Sequence, residues 1–333
     1  VTATVIAGTG SYVPERVLTN ADLERMVDTS DEWITARTGI RERRIAADNQ
    51  ATSDLAIEAG RRAIEAAGIT AQDVDLVLVA TATPDMFFPA TACLVQTALG
   101  ATNAAAFDLS AACSGFIYGL NVADAYIRSG SYKNVLLIGA ETMSRVVDWE
   151  DRTTCVLFGD GAGAVLLQAG EGDTGSGAPG LMRTDIHSDG AAWDYICVPG
   201  GGSRMPPSDA LVDSRQQFLK MKGNETFKVA VRNMERAART VLEDAGGIKA
   251  HDLALVVPHQ ANMRILNAVA ERLELPAGKV YVNLDRYGNT SAASVPLAFD
   301  EAVRAGRLER GDLVLMLAFG SGLTWGAALL RWG

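Results

Sequence analysis

Apolar positions along this chain fall into two kinds of run, repeated in alternation. Short, nearly continuous runs such as Val74-Asp-Leu-Val-Leu-Val-Ala-Thr81, Asn134-Val-Leu-Leu-Ile-Gly-Ala-Glu141, Leu253-Ala-Leu-Val-Val-Pro258 and Leu313-Val-Leu-Met-Leu-Ala-Phe319 predict strands buried on both faces. Ala104 to Leu109, Val280 to Asn283 and Gly326 to Arg331 predict further strands, and the glycine-rich stretch Val156 to Leu167 predicts a strand pair. Between these runs the apolar period lengthens to that of a helix at Ser53–Ala67, Ala90–Leu99, Phe227–Ala245, Asn262–Leu273 and Val295–Ala305. After Gly115, the positions Phe116, Ile117, Leu120, Val122, Ala123, Tyr126 and Ile127 cover more than one face, the mark of a buried helix. At the N-terminus Thr4 to Ala7 opens as a strand that Gly8-Thr-Gly10 ends, and Thr19–Glu24 and Thr29–Ile34 carry helix-start signals.

The order of elements occurs twice. Helix, Asp73-Val-Asp-Leu-Val-Leu-Val-Ala80 and helix are matched by helix, His251-Asp-Leu-Ala-Leu-Val-Val-Pro258 and helix. The small-residue elbow around Cys113 has its counterpart in the elbow around Asn289, and Val135–Ile138 in Leu313–Met316. An α/β chain of two duplicated halves, 1–172 and 173–333, accounts for this pattern, with equivalent loops side by side about a pseudo-twofold axis. Glycine and proline crowd residues 170–222, which predicts long surface excursions between the halves.

Composition narrows the class. The 333 residues are 48% apolar and 21% charged, with no apolar run of membrane-spanning length and no basic, then apolar, leader. A net charge of −10 argues against nonspecific nucleic-acid binding and requires any acidic partner to dock on a local basic patch. Cys93, Cys113, Cys155 and Cys197 lack CxxC spacing and neighbouring histidines, which argues against structural zinc and a disulfide framework and for a cytoplasmic setting. The GxGxxG dinucleotide pattern fails at Val13, and Gly159-Asp-Gly-Ala-Gly163 lacks the Lys-Ser/Thr of a phosphate loop.

Candidate chemistry gathers at element ends. Cys113, in Asp108-Leu-Ser-Ala-Ala-Cys-Ser-Gly-Phe116, sits where a strand turns into a helix, whose partial positive charge favours thiolate. His259 follows a buried strand directly, whereas His187 and His251 read as surface residues. Asn289 lies in an uncrowded turn and, being uncharged, offers hydrogen bonds but no general base. Together a thiol, an imidazole and a carboxamide point to acyl-thioester chemistry. Trp33 and Arg37, one helical turn apart, with Arg41, Arg43 and Arg44 close behind, suit a nucleotide carrying phosphates. Taken singly, each group also fits a plainer role: Cys113 a small core residue, Asn289 a turn or cap, Trp33 with its arginines a solvated face.

The motifs Gly8-Thr-Gly-Ser-Tyr, Thr29-Ser-Asp-Glu-Trp-Ile, Arg37-Thr-Gly-Ile-Arg-Glu-Arg, Ala111-Ala-Cys-Ser-Gly, Gly159-Asp-Gly-Ala-Gly-Ala, Val257-Pro-His-Gln-Ala-Asn, Gly288-Asn-Thr-Ser-Ala-Ala-Ser and Thr324-Trp-Gly run nearly end to end. In this order they resemble the β-ketoacyl-acyl carrier protein synthase III family. The resemblance implies a thiolase-like five-layered αβαβα fold, a homodimer, and decarboxylative condensation of an acyl-CoA primer with malonyl-acyl carrier protein through an acyl-Cys113 intermediate. It implies that His259 and Asn289 support decarboxylation, and that the backbone of Cys113 and Ser321 forms the oxyanion hole. Trp33, Arg37, Arg152, Gly223 and Asn262 match coenzyme A contacts, Phe88 matches an acyl-pocket residue across the dimer, and Lys228 and Arg264 match carrier-protein docking positions. Lys228, Arg232, Arg236 and Arg239 also recur at helical spacing as a basic stripe. CoA thioesters enter as substrates and no cofactor or metal is implied. Gly320-Ser-Gly322 departs from the triple glycine of many relatives. Rival readings are a related ketosynthase or acyltransferase of secondary metabolism, a papain-type Cys-His-Asn hydrolase and an inactive acyl-CoA binder; the local contexts disfavour the last two.

Overall fold

Successive side chains on a strand face opposite ways, so a strand apolar at every position has to be covered on both sides. The strand Leu76–Ala80 shows the consequence: Leu76 and Leu78 enter one core, Val77 and Val79 another. Across the molecule the same division separates Val314 and Met316 from Leu313, Leu315 and Leu317. The computed structural model describes residues 2–333. Two mixed sheets form its framework. The first comprises β1 (Thr2–Tyr12), β2 (Leu76–Ala80), β3 (Ala105–Leu109), β4 (Asn134–Thr142) and β5 (Asp160–Glu171), in the spatial order β1-β5-β4-β2-β3. The second comprises β6 (Gly180–Ser188), β7 (Leu253–Pro258), β8 (Leu313–Gly320) and β9 (Thr324–Arg331), in the order β7-β8-β9-β6.

Strand directions repeat as well as order. In the first sheet β4, β2 and β3 run parallel, while β5 is antiparallel to both β4 and β1. In the second, β8 and β7 are parallel and β9 is antiparallel to both β8 and β6. The seven longer helices are α1 (Asp31–Thr38), α2 (Thr52–Ala66), α3 (Thr91–Leu99), α4 (Gly115–Arg128), α5 (Gly223–Asp244), α6 (Met263–Arg272) and α7 (Ser294–Arg304). Helices α4 and α7 fill the space between the sheets, α2 and α3 cover the outside of the first, and α5 and α6 cover the outside of the second. That is the five-layered αβαβα order of the thiolase-like fold.

Four elements differ from the sequence expectation. Strand β1 does not stop at Gly8 but continues to Tyr12; a Cβ at Gly8 would lie 2.3 Å from the Ala63 carbonyl oxygen, and one at Gly10 2.4 Å from that of Ala59. These glycines let α2 lie directly on the strand. The expected strand pair at Val156–Leu167 is one long strand, β5, preceded by a loop. Segment 170–222 is not wholly an excursion, because β6 within it is the counterpart of β1 and completes the second sheet. Val280–Asn283 is reduced to a single parallel bridge between Val256 and Val280, the remnant of what would be the equivalent of β3.

Candidate active site

Two elbows meet between the sheets. After β3 the chain enters a tight turn, Ala112–Ser114, with Ala112 at φ +46°, and then α4. In the second half Ser291 takes φ +49° at the start of the turn Ser291–Ala293, followed by α7. The two elbows are equivalent, as expected, but Ala292 stands at the position of Cys113, and Asn289 lies three residues earlier. A left-handed non-glycine residue costs on the order of 1–3 kcal/mol and persists only where its surroundings hold it. Here close packing holds both: a Cβ at Gly139 would lie 2.3 Å from the Ala292 carbonyl oxygen, and one at Gly320 2.7 Å from the Cys113 nitrogen.

His259 leaves the end of β7 with its N–H donating to the Leu317 carbonyl at 2.7 Å. Its Nδ1 lies 2.6 Å from Ser294 Oγ, and that oxygen also accepts from the Gln260 N–H at 3.4 Å. With the Ser294 hydroxyl donating to Nδ1, the neutral imidazole carries its proton on Nε2. Burial pushes the His259 pKa down to about 4, so the ring is neutral at neutral pH. Asn289 is clamped at both backbone ends: its N–H donates to the Leu157 carbonyl at 2.8 Å and its carbonyl accepts from the Gly159 N–H at 3.1 Å. The Ser291 N–H donates to Asn289 Oδ1 at 2.9 Å, which leaves the Nδ2 amide group as the donor for a ligand.

Cys113 is half-buried at this helix start. Burial pushes the Cys113 pKa up to about 12, the Glu141 charge adds to that, and a hydrogen bond with Ser291 works against it. Glu141, at the end of β4, is wholly buried; its carboxylate accepts from Thr83 Oγ1 at 2.6 Å, Ser291 Oγ at 2.9 Å and Thr81 Oγ1 at 3.2 Å, and from the Ala82 and Ala292 N–H groups. Nothing in the spacing of the sequence singled out Glu141, Ser291 or Ser294. The two serines lie inside the Gly288–Ser294 motif, and the only further signal was a lone acid closing an apolar strand.

Cys113, His259 and Asn289 line one cavity of about 960 Å³. Ser321, Gly223, Asn262, Lys228 and Arg264 also border it, as do Trp33 and Arg37. Arg37 and Arg152 hold their guanidinium carbons 5.0 and 5.1 Å from the Trp33 ring centroid. Asn262 caps α6, accepting from the Arg264 N–H at 2.8 Å. Ser321 Oγ donates to the Ile196 carbonyl, tying the Gly320–Gly322 turn to the segment that walls the cavity. Phe88 is 85% exposed at a loop tip and does not line this cavity.

The basic cluster expected beside Trp33 separates. Arg43 is fully buried and donates to the Leu18 and Val156 carbonyls and to Asn20 Oδ1, so it holds the fold and no phosphate. Arg44 donates to the Pro14 carbonyl, and neither it nor Arg41 borders the cavity. His187 is not an ordinary surface residue: it belongs to β6, stacks on Trp325 at 5.6 Å and pairs with Asp185 at 2.9 Å. On the basic stripe, Arg239 is engaged by Glu235 and the Arg272 carbonyl. Among the described residues no group of three or more His, Cys, Asp or Glu is placed to hold a metal ion, and no helix is long and apolar enough to cross a membrane.

Comparison with known proteins gives a concordant picture. Residues 107–190 match the family model described as 3-oxoacyl-[acyl-carrier-protein (ACP)] synthase III, and residues 242–332 match that described as its C-terminal part. A beta-ketoacyl-[acyl-carrier-protein] synthase III of Caldanaerobacter subterraneus subsp. tengcongensis is 54% identical over 327 residues, covering 98% of this chain and 97% of that protein. One of Xanthomonas campestris pv. campestris is 56% identical over 332 residues, covering 98% of each. The crystal structure of 3-oxoacyl-[acyl-carrier-protein] synthase III from Aquifex aeolicus VF5 is similar with a TM-score of 0.90 and 51% identity, covering 99% of this chain and 100% of that one.

Proposed function

The chain belongs to the 3-oxoacyl-[acyl-carrier-protein] synthase III family, and from that premise we propose that it joins an acyl-CoA primer to malonyl-acyl carrier protein through acyl-Cys113, initiating fatty acid synthesis. The observation that carries this reading is the convergence of Cys113, His259 and Asn289, from three distant segments, on one cavity of about 960 Å³. Cys113 sulfur attacks the thioester carbonyl, and the backbone N–H groups of Cys113 and Ser321 receive the oxyanion. CoA leaves, and malonyl-acyl carrier protein enters through the same mouth. The neutral Nε2–H of His259 and the Nδ2 amide of Asn289 donate to the thioester oxygen as carbon dioxide departs, stabilising the enolate without protonating it. The carbanion then attacks acyl-Cys113 and releases a 3-oxoacyl-acyl carrier protein.

Trp33 with Arg37 and Arg152 receives the nucleotide end of CoA, Gly223 and Asn262 border the arm, and Lys228 and Arg264 at the mouth receive the acidic carrier protein. The substrates bring their own activated thioesters, so no cofactor or metal is required. The protein acts in the cytoplasm as a homodimer of chains divided into halves 1–172 and 173–333, with Phe88 reaching the partner's acyl pocket. Relatives at 54% and 56% identity bear the synthase III name, which disfavours a ketosynthase of secondary metabolism.

The test is intact-mass analysis after incubation with acetyl-CoA, followed by addition of malonyl-acyl carrier protein or malonyl-CoA. One acyl group on Cys113, absent in Cys113→Ala, and product formed faster from the carrier-bound malonyl group are expected. Retained acylation in Cys113→Ala, or no preference for the carrier, overturns the reading.

A further inference from the structure

The two N–H groups assigned to the oxyanion come from segments far apart in the chain: Cys113 from the elbow after β3, Ser321 from the turn between β8 and β9. They serve one oxygen only if the distance between those segments is fixed to within about half an ångström. Close packing brings the segments together, since a Cβ at Gly320 would lie 2.7 Å from the Cys113 nitrogen. A glycine permits that approach but has no side chain with which to hold it.

Thr324 stands where the two segments meet. It pairs with Gly320 in the β8–β9 ladder, at the base of the turn that carries Ser321. Its Oγ1 lies 2.9 Å from the Ala111 carbonyl oxygen and 2.9 Å from that of Ser321, so one hydroxyl proton is shared between elbow and turn. In return, the buried Ser114 hydroxyl donates to the Thr324 carbonyl at 3.0 Å. Ala111 and Ser114 bracket Cys113, so Thr324 grips the turn of the nucleophile on both sides. The ladder fixes Thr324 against Gly320, but the elbow belongs to neither strand. Among the described residues, the hydrogen bonds that cross from elbow to hairpin are these two hydroxyl bonds.

We propose that Thr324 is a positioning residue of the oxyanion hole: its hydroxyl, with the return bond from Ser114, sets the spacing of the Cys113 and Ser321 N–H groups. This rests on the reading of Cys113 as the acylated nucleophile. Thr324 acts through the two backbones it joins and not on the reacting carbonyl. The far side of the same turn is secured separately, by Ser321 Oγ donating to the Ile196 carbonyl.

The consequence is confined to one kind of reaction. When sulfur attacks a thioester, the carbonyl π pair moves onto oxygen, and the charge gathers where the two N–H groups converge. The same charge forms again when the carbanion attacks acyl-Cys113. Alkylation of the same sulfur by iodoacetamide occurs at a saturated carbon, and the negative charge leaves with iodide. Loosening the clamp therefore slows acyl transfer and leaves alkylation nearly untouched. Removal of one oxyanion donor costs about 10²–10³ in rate, and displacement of one costs a part of that.

The test compares the two reactions at one sulfur. Acylation of Cys113 by acetyl-CoA is timed by intact mass over a range of concentrations, and alkylation by iodoacetamide is timed by peptide mass. The proteins are the wild type, Thr324→Val, Thr324→Ser and Ser114→Ala, with thermal melts to confirm folding. Thr324→Val keeps the shape without the hydroxyl and is expected to acylate about 10- to 10²-fold more slowly at saturating acetyl-CoA. Its half-saturating acetyl-CoA concentration and its alkylation rate are expected to stay within about threefold of the wild type. Thr324→Ser keeps the hydroxyl and is expected to restore most of the acylation rate. Should Thr324→Val fail to fold, Ser114→Ala decides by the same split. Acylation and alkylation falling together, or acylation unchanged in folded Thr324→Val, overturns the proposal while leaving the condensing-enzyme reading intact. A wild type that is not acylated at Cys113 overturns that reading and the proposal with it.

Discussion

His259 shows how one residue's environment sets both chemistry and stability. The imidazole is 4% exposed and its Nδ1 partner is a hydroxyl, so nothing compensates a positive charge and the pKa falls from 6.5 to about 4. The unfolded chain binds this proton below pH 6.5 and the folded chain does not until about pH 4, so the folded state loses stability as pH falls through that window. The loss amounts to about 3 kcal/mol from this group. Denaturant titrations are expected to show it in the wild type and to show correspondingly less in His259→Asn; equal acid sensitivity would place the effect on another group. The functional counterpart is a separation of half-reactions. His259→Ala is expected to acylate Cys113 at close to the wild-type rate and to release carbon dioxide from malonyl-acyl carrier protein at least about 10²-fold more slowly, the size of effect that loss of a hydrogen bond to a developing oxyanion brings. Normal decarboxylation in that variant would remove His259 from the enolate site.

At the scale of elements, the site depends on backbones brought unusually close. Gly139 in β4 faces the Ala292 carbonyl across the boundary between the halves, with room for a hydrogen atom and none for a methyl. Gly139→Ala is expected to cost about 1–3 kcal/mol of stability by overpacking. Because the displaced turn carries Ser291 and follows Asn289, acylation and condensation should fall further than the melting temperature alone explains. Unchanged activity in a destabilised Gly139→Ala would show that the elbow tolerates displacement. This dependence explains what the sequence revealed and what it hid. The doubly buried strands β2, β4, β7 and β8 were legible because each is apolar at nearly every position, and the nucleophile was legible because small residues flank Cys113 at an element end. Strand β6 was hidden because half of its positions are polar and its flanks are rich in glycine, which also describes a loop. Gly8 and Gly10 looked like a strand end, and only the position of α2 shows that they are sites of close approach. Arg43 looked like one more charge in a basic run, while its actual partners are carbonyls far away in the chain. Local pattern records burial and turning; it does not record which distant backbone a residue will meet.

At the scale of the whole molecule, two features remain uncovered in a single chain. Strand β3 stands at the end of its sheet, and among the described residues no strand pairs with its outer edge. An open edge of this kind invites pairing with another chain and is ordinarily protected. Nearby in the chain, Phe87 and Phe88 are 80% and 85% exposed at the tip of the loop between β2 and α3, a poor use of two large apolar side chains in water. In the homodimer proposed above, a second copy would cover both features if the edge of β3 met its own counterpart about a twofold axis and the phenylalanines packed into the neighbour. Sedimentation velocity is expected to show a dimer for the wild type and a shift toward single chains for Phe87→Asp/Phe88→Asp. On the proposed assignment of Phe88 to the partner's acyl pocket, that double variant should also acylate more slowly. A wild type that sediments as a single chain while remaining fully active would detach the homodimer from the mechanism, and a dimeric, fully active double variant would place the loop outside the interface.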